Sequence, residues 1–264
     1  MKDLAKQFPE NSQTFRQFHD MVSGMFHQMR HTFAVSSLGT DQKHRPIEFF
    51  LHKFDAFYTL NQDTFIESNY LNTNIREGSA GKLLSIEMPG VERPPGQEFQ
   101  PPGLWQPKLP PYFITERAQP YIKLHGSSNW TLPGQADLML ILGGNKATEI
   151  NSQPLLSWYH QQFRDALKLP NTRVVIIGYS FSDSHINNAL CDAAPYGTQF
   201  FIIDPSGLGV VDKRNKAAQI AQPRETLLET LIPNIAGASR RDFRQSMTSD
   251  GIERSKILRF LQDL

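Results

Sequence analysis

The chain is predicted to be an α/β protein whose parallel sheet is covered by helices, with helical regions before and after it. Three observations carry that expectation. YIKLHG, LMLILGG, RVVIIGYSF and QFFIID are short, near-continuous aliphatic runs, the pattern of strands buried on both faces. Between and after them, PLLSWYHQQFRDAL and DSHINNALCDA have apolar residues at helical spacing. The alternation of the two patterns is that of a parallel sheet built from crossover units.

Taken in order, residues 1–53 form an N-terminal helical region. Phe15, Phe18, Val22, Met25, Phe26, Met29 and Phe33 recur at spacings of three and four, and Ser12 is a suitable N-cap. That stripe is expected to pack into a core. His27 and His31 share a helix face, but with no third ligand nearby they read as a solvated pair. A core spanning 54–206 follows. FDAFYTL is a strand that runs into the polar cluster NQD, and DTFIESNYL is a short helix capped by Asp63 or Thr64. The stretch 88–111 contains eight prolines, and its expected form is a long covering loop with no regular element. Such a loop is a candidate lid. Then come the alternating strands and helices, and 207–264 reads as a helical C-terminal region made of RETLLETLI, RRDFRQSM and ERSKILRFLQDL. The arginines at 240, 241, 244, 254 and 259 are expected on a solvated helix surface.

Composition excludes several function classes. Lys and Arg total 27 against 26 Asp and Glu, so no basic excess points to nucleic acid or a membrane surface. A single cysteine, Cys191, rules out a disulfide framework or a four-cysteine zinc site within the chain. No apolar run approaches the ~18 residues of a membrane span. MKDLAKQFPENSQ lacks the apolar centre of a signal peptide, and the expected location is the reducing cytoplasm.

Ligands of open parallel sheets bind beyond the carboxyl ends of the strands. Here four strands run into polar residues: Asn61-Gln62-Asp63, His125-Gly126-Ser127-Ser128-Asn129, Gly178-Tyr179-Ser180-Phe181-Ser182-Asp183, and Asp204-Pro205. Each has a local alternative. Asn61 and Asp63 suit a turn and a helix cap, His125 a satisfied core histidine, and Asp204 the opening of a turn. Their common position at strand ends favours a ligand site.

Other motifs carry less. GYSFS imitates a serine-hydrolase elbow with Ser180 as nucleophile, but the last histidine, His185, follows at once and none lies after Asp204. GGNKAT lacks the spacing of a phosphate loop, and GLGVVD has Asp212 where a dinucleotide fingerprint needs its third glycine.

TLNQD, LHGS, IIGYSFSDSHIN and IIDP, in this order from Phe54 to Pro205, resemble the SIR2-like (sirtuin-like) proteins, closest to their zinc-free bacterial branch of antiphage defence. The resemblance implies a Rossmann-like core and cleavage of the nicotinamide–ribose bond of NAD⁺, which is consumed as substrate. It also implies that Asn61, Asp63 and His125 are the catalytic set. Asn61 would hold the attacking water or the ribose, Asp63 the nicotinamide amide, and His125 would act as base. Thr59, Gly126, Ser127, Gly178, Tyr179, Ser180, Asp183 and Asp204 are then the other NAD⁺ contacts, those from Gly178 onward on the adenosine half. Self-assembly and a companion ATPase or Argonaute-like protein are further implications.

Two departures shape the expectation. Without cysteines for the zinc ribbon of the deacylases, plain NAD⁺ hydrolysis is favoured over deacylation. The family's first strand and glycine loop should precede the helical region, and the nearest match, SSLGT at Ser36, lacks both features. A shortened or degenerate member is therefore expected, and the alternative function is a non-catalytic module that binds NAD⁺ or ADP-ribose or serves in assembly.

Overall fold

The computed structural model describes residues 20–22, 24–26, 28–29, 50–71, 85–94, 104–132, 138–141, 146–211 and 224–262, with positions 13 and 17. His27, His31, Ser36, the Gly143–Asn145 part of GGNK and Asp212 lie outside them. The chain is mixed α/β, with parallel sheets flanked by helices. It divides into two compact units, Met1–His160 and Gln161–Leu264. No helix among the described residues is long and apolar enough to cross a membrane.

In the first unit, β1 (Phe57–Thr59), β2 (Ser85–Glu87) and β5 (Ala118–Lys123) form a parallel sheet in the order β1-β5-β2. Phe57 pairs with Tyr121 and Thr59 with Lys123, while Ser85 pairs with Ala118. The central strand β5 is buried at every position. The stretch 88–111 departs from expectation. It contains a small antiparallel ribbon of β3 (Val91–Glu92) and β4 (Gln106–Pro107). Proline is tolerated there because two-residue strands ask little of the ladder, and the neighbouring Lys108 N–H supplies a bond to the Gly90 carbonyl at 2.9 Å.

A second correction concerns the residues after His125. They were expected to form a strand-end loop, but Gly126–Thr131 is a further strand, β6, antiparallel to β7 (Leu138–Leu140). Consequently LMLIL does not join the parallel sheet. Gly126 makes the turn possible. Its φ is +73°, and a Cβ there would stand 2.2 Å from the Met139 carbonyl oxygen.

At the N-terminus the described residues between 20 and 29 are helical, as predicted. Their apolar stripe is not packed away, however. Met21, Met25 and Met29 are exposed, and Val22 and Phe26 are half-buried. After α1 (Phe65–Tyr70), α2 (Lys146–Ser152) and α3 (Pro154–Leu167) complete the helices up to the unit boundary, which falls within α3.

The second unit holds another parallel sheet, ordered β10-β9-β8, from β8 (Arg173–Ile177), β9 (Gln199–Ile203) and β10 (Ile235–Ser239). β10 overturns the expectation that the last sixty residues are all helical. After Ile235 the strand IAGAS carries little strand-like bulk, and at Gly237 there is no room for a side chain. A Cβ at Gly237 would lie 2.6 Å from the Phe201 ring. The helices are α4 (Ser184–Ala193), α5 (Arg224–Leu231), α6 (Phe243–Thr248) and α7 (Gly251–Gln262). The five arginines named above are exposed.

Candidate functional site

Because β1 and β5 are parallel neighbours, their carboxyl ends adjoin, and hydrogen bonds tie the two exits together. The Leu124 N–H donates to the Thr59 carbonyl at 2.9 Å, and the Ser128 N–H to the Gln62 carbonyl at 2.8 Å. The first unit thus brings Thr59, Asn61 and Asp63 together with His125, Gly126 and Ser127.

Asn61 is exposed, and its N–H donates to Thr59 Oγ1 at 3.1 Å. Asp63 Oδ1 accepts the Phe65 N–H at 2.9 Å, which starts α1. Thr64 occupies the cap position without a side-chain cap bond. His125 is buried, its ring stacked on that of His160 at 6.4 Å between centroids. His160 Nε2 lies 2.8 Å from the Leu124 carbonyl, which can only accept, so Nε2 carries the proton.

Behind this edge is a polar network that sequence reasoning missed. Lys123 is fully buried and pairs with buried Glu67, while its ammonium also donates to the Asp63 carbonyl. Glu67 Oε2 accepts from Asn129 Nδ2 at 3.1 Å, and Ser127 Oγ donates to Asn129 Oδ1 at 2.7 Å. Ser127, expected as a ligand contact, is itself fully buried with its hydroxyl in this network. The electrostatic effect reaches neighbouring rings. Burial, reinforced by the Glu67 charge, pushes the Tyr121 and Tyr159 phenols well above their ordinary range. Burial pulls Arg93 down, with Glu67 opposing. The one available signal was the lysine inside the otherwise buried run YIKLHG, a charge that requires a buried partner.

In the second unit, β8 and β9 end side by side, with the Gly178 N–H donating to the Ile203 carbonyl at 2.9 Å. This places Gly178, which opens the loop of Tyr179, Ser180 and Asp183, beside the strand end that leads to Asp204. Gly178 has φ +61°, and Phe181, wholly buried, has φ +53°. The loop holds this shape because buried Asn187 grips it twice: Nδ2 donates to the Phe181 carbonyl and Oδ1 accepts from the Tyr179 hydroxyl, both at 2.9 Å. Ser180 and Ser182 are left exposed with their hydroxyls 2.8 Å apart. Tyr179 is pushed up by burial and by the Asp183 charge. Asp183 sits at the cap position of α4 without a side-chain cap bond. Asp204 Oδ1 accepts the Ser206 N–H at 2.7 Å, the turn-opening bond that its place before Pro205 allows.

The twelve-residue set GYSFSDSHINNA therefore offers hydroxyls and a carboxylate at one sheet edge, and the other unit offers an amide, a carboxylate and an imidazole at its own. A family model described as SIR2-like domain matches residues 55–224. No curated protein matches the chain.

Proposed function

The chain belongs to the SIR2-like domain family, and from that premise we propose that it hydrolyses NAD⁺ at the nicotinamide–ribose bond. The observation that carries this reading is the hydrogen-bonded junction of the Asn61–Asp63 segment with the His125 turn. It gathers an amide, a carboxylate and an imidazole at one strand edge. The bond breaks through an oxocarbenium-like state, which needs a positioned water and charge stabilisation rather than a strong nucleophile. In this proposal Asn61 orients the water or the ribose and Asp63 holds the nicotinamide amide. His125 takes the proton from the attacking water as its oxygen bonds to the anomeric carbon. Nicotinamide leaves with the electron pair of the cleaved bond, and ADP-ribose is the second product. Imidazole has an unperturbed pKa near ~6.5, which suits a base at neutral pH.

The second unit's Gly178, Tyr179, Ser180, Asp183 and Asp204 are proposed as contacts for an adenosine ribose. By the same resemblance we propose a role in bacterial antiphage defence, in the cytoplasm, as a self-assembling partner of an ATPase or Argonaute-like protein. A second reading, a non-catalytic NAD⁺- or ADP-ribose-binding module, is favoured by a specific observation. His125 is only 3% exposed, so a substrate has little of its ring to meet.

One experiment separates the two. The purified chain and its His125→Ala variant are incubated with NAD⁺, and nicotinamide and ADP-ribose are quantified. Turnover that disappears in the variant supports the hydrolase. ADP-ribose binding without turnover selects the binding module.

A further inference from the structure

Gln62 stands between Asn61 and Asp63, and the resemblance gives it no role. Its carboxamide nevertheless makes the longest-range side-chain bonds of the loop. Nε2 donates to the His125 carbonyl at 2.9 Å and to the Ile141 carbonyl at 2.8 Å, partners 63 and 79 positions away in the chain. Carbonyls only accept, so the edge facing them is the NH₂ group, and both of its protons are used. The main-chain carbonyl of Gln62 in turn accepts the Ser128 N–H at 2.8 Å. One residue thus joins the loop after β1, the turn between β5 and β6, and the end of β7.

The convergence is on the peptide that carries the imidazole. The His125 carbonyl accepts from Gln62 Nε2 and also from the Ile141 N–H at 3.2 Å. With an apolar side chain at 62, His125 would retain only the longer of these bonds, and the Ile141 carbonyl would lose its side-chain donor. We propose that Gln62 is a positioning residue that sets the His125 ring relative to Asn61 and Asp63. The proposal rests on the reading of His125 as the catalytic base. Its importance follows from tolerance: catalytic groups must sit within about 0.5 Å of their working geometry, and a displacement of about 1 Å costs on the order of 100-fold in rate.

The test uses Gln62→Met, which keeps the length and removes both donors. The expected result is a kcat lower by about tenfold or more, with KM for NAD⁺ within about twofold. In the free protein labelled with [¹⁵N]histidine, the His125 ring signals and their titration midpoint are expected to move. Unchanged kcat with unmoved His125 signals overturns the proposal while leaving the hydrolase reading intact. Moved His125 signals in the variant, together with an unaltered chain that does not cleave NAD⁺, support the positioning and overturn the hydrolase reading instead. Should Gln62→Met fail to fold, hydrogen exchange of the Gln62 carboxamide in the unaltered chain decides. Exchange slowed by on the order of 100-fold relative to a free amide supports the double donation, and exchange at the free rate overturns it.

Discussion

Lys123 and Glu67 form an ion pair closed off from solvent, with side-chain exposures of 0% and 5%. It lies two residues before His125 in the chain and four residues after Asp63, so each arm supports one of the two segments at the strand edge. Each member of the pair has a further partner. Asn129 binds the second oxygen of Glu67, and the Asp63 carbonyl takes another ammonium proton. Such an arrangement contributes little net stability over an apolar core, but removing one partner leaves a buried charge alone.

The first prediction follows from that asymmetry. Lys123→Met and Glu67→Gln should each lower unfolding stability by about 3–5 kcal/mol, because each strands the opposite charge. Lys123→Met combined with Glu67→Gln should cost less than the sum of the two single changes. Urea denaturation of the four proteins closes the double-mutant cycle. Additive losses would show that the two charges do not depend on each other.

Gly126 and Gly178 provide a matched pair for the second prediction. Both have left-handed φ, +73° and +61°, so alanine strains either backbone. They differ in space. The new methyl at 126 would meet the Met139 carbonyl oxygen at 2.2 Å, whereas nothing lies within 4 Å of the one at 178. Gly178→Ala should therefore cost about 1–2 kcal/mol, the backbone part alone. Gly126→Ala adds an overpacking cost and should reach roughly 3 kcal/mol or more. Thermal or chemical denaturation of both variants checks the order, and equal losses would refute it.

The parts of the fold that were legible in the sequence are those whose residues announce their environment locally. RVVII and QFFII are apolar after their first residue, as sheet strands are, and the helix PLLSWYHQQFRDAL has the predicted bounds. What was missed depends on distant partners. β6, GSSNWT, is polar yet buried, since Glu67 and Gln62 supply bonds from some sixty positions away. β10 has a glycine at its centre because Phe201 occupies the space a side chain at 237 would take. The candidate strand ends were legible because Asn, Asp, His and Gly stand directly after aliphatic runs. Gln62, Glu67 and Asn187 were not, because an amide or carboxylate in a loop or helix gives no sign of which backbone group it will bind.

Asn187 yields the last prediction. It is fully buried on α4, and its carboxamide is the only side chain among the described residues shown to grip both Tyr179 and Phe181. A wholly buried phenylalanine with φ +53° is a costly conformation, worth on the order of 1–2 kcal/mol, and it persists because the Phe181 carbonyl is held where the amide can reach it. Asn187→Ala removes both bonds and leaves the Tyr179 hydroxyl without that acceptor, so a loss of about 2–3 kcal/mol is expected. Asn187→Asp keeps an acceptor for Tyr179 but sets an oxygen against the Phe181 carbonyl. It should be at least as damaging at neutral pH and recover in part as acid protonates the new carboxyl, which can then donate to that carbonyl. Denaturation curves for the two variants at neutral and acidic pH test this. An Asn187→Asp variant as stable as the unaltered chain at neutral pH would mean that the amide donor does not hold the Phe181 turn.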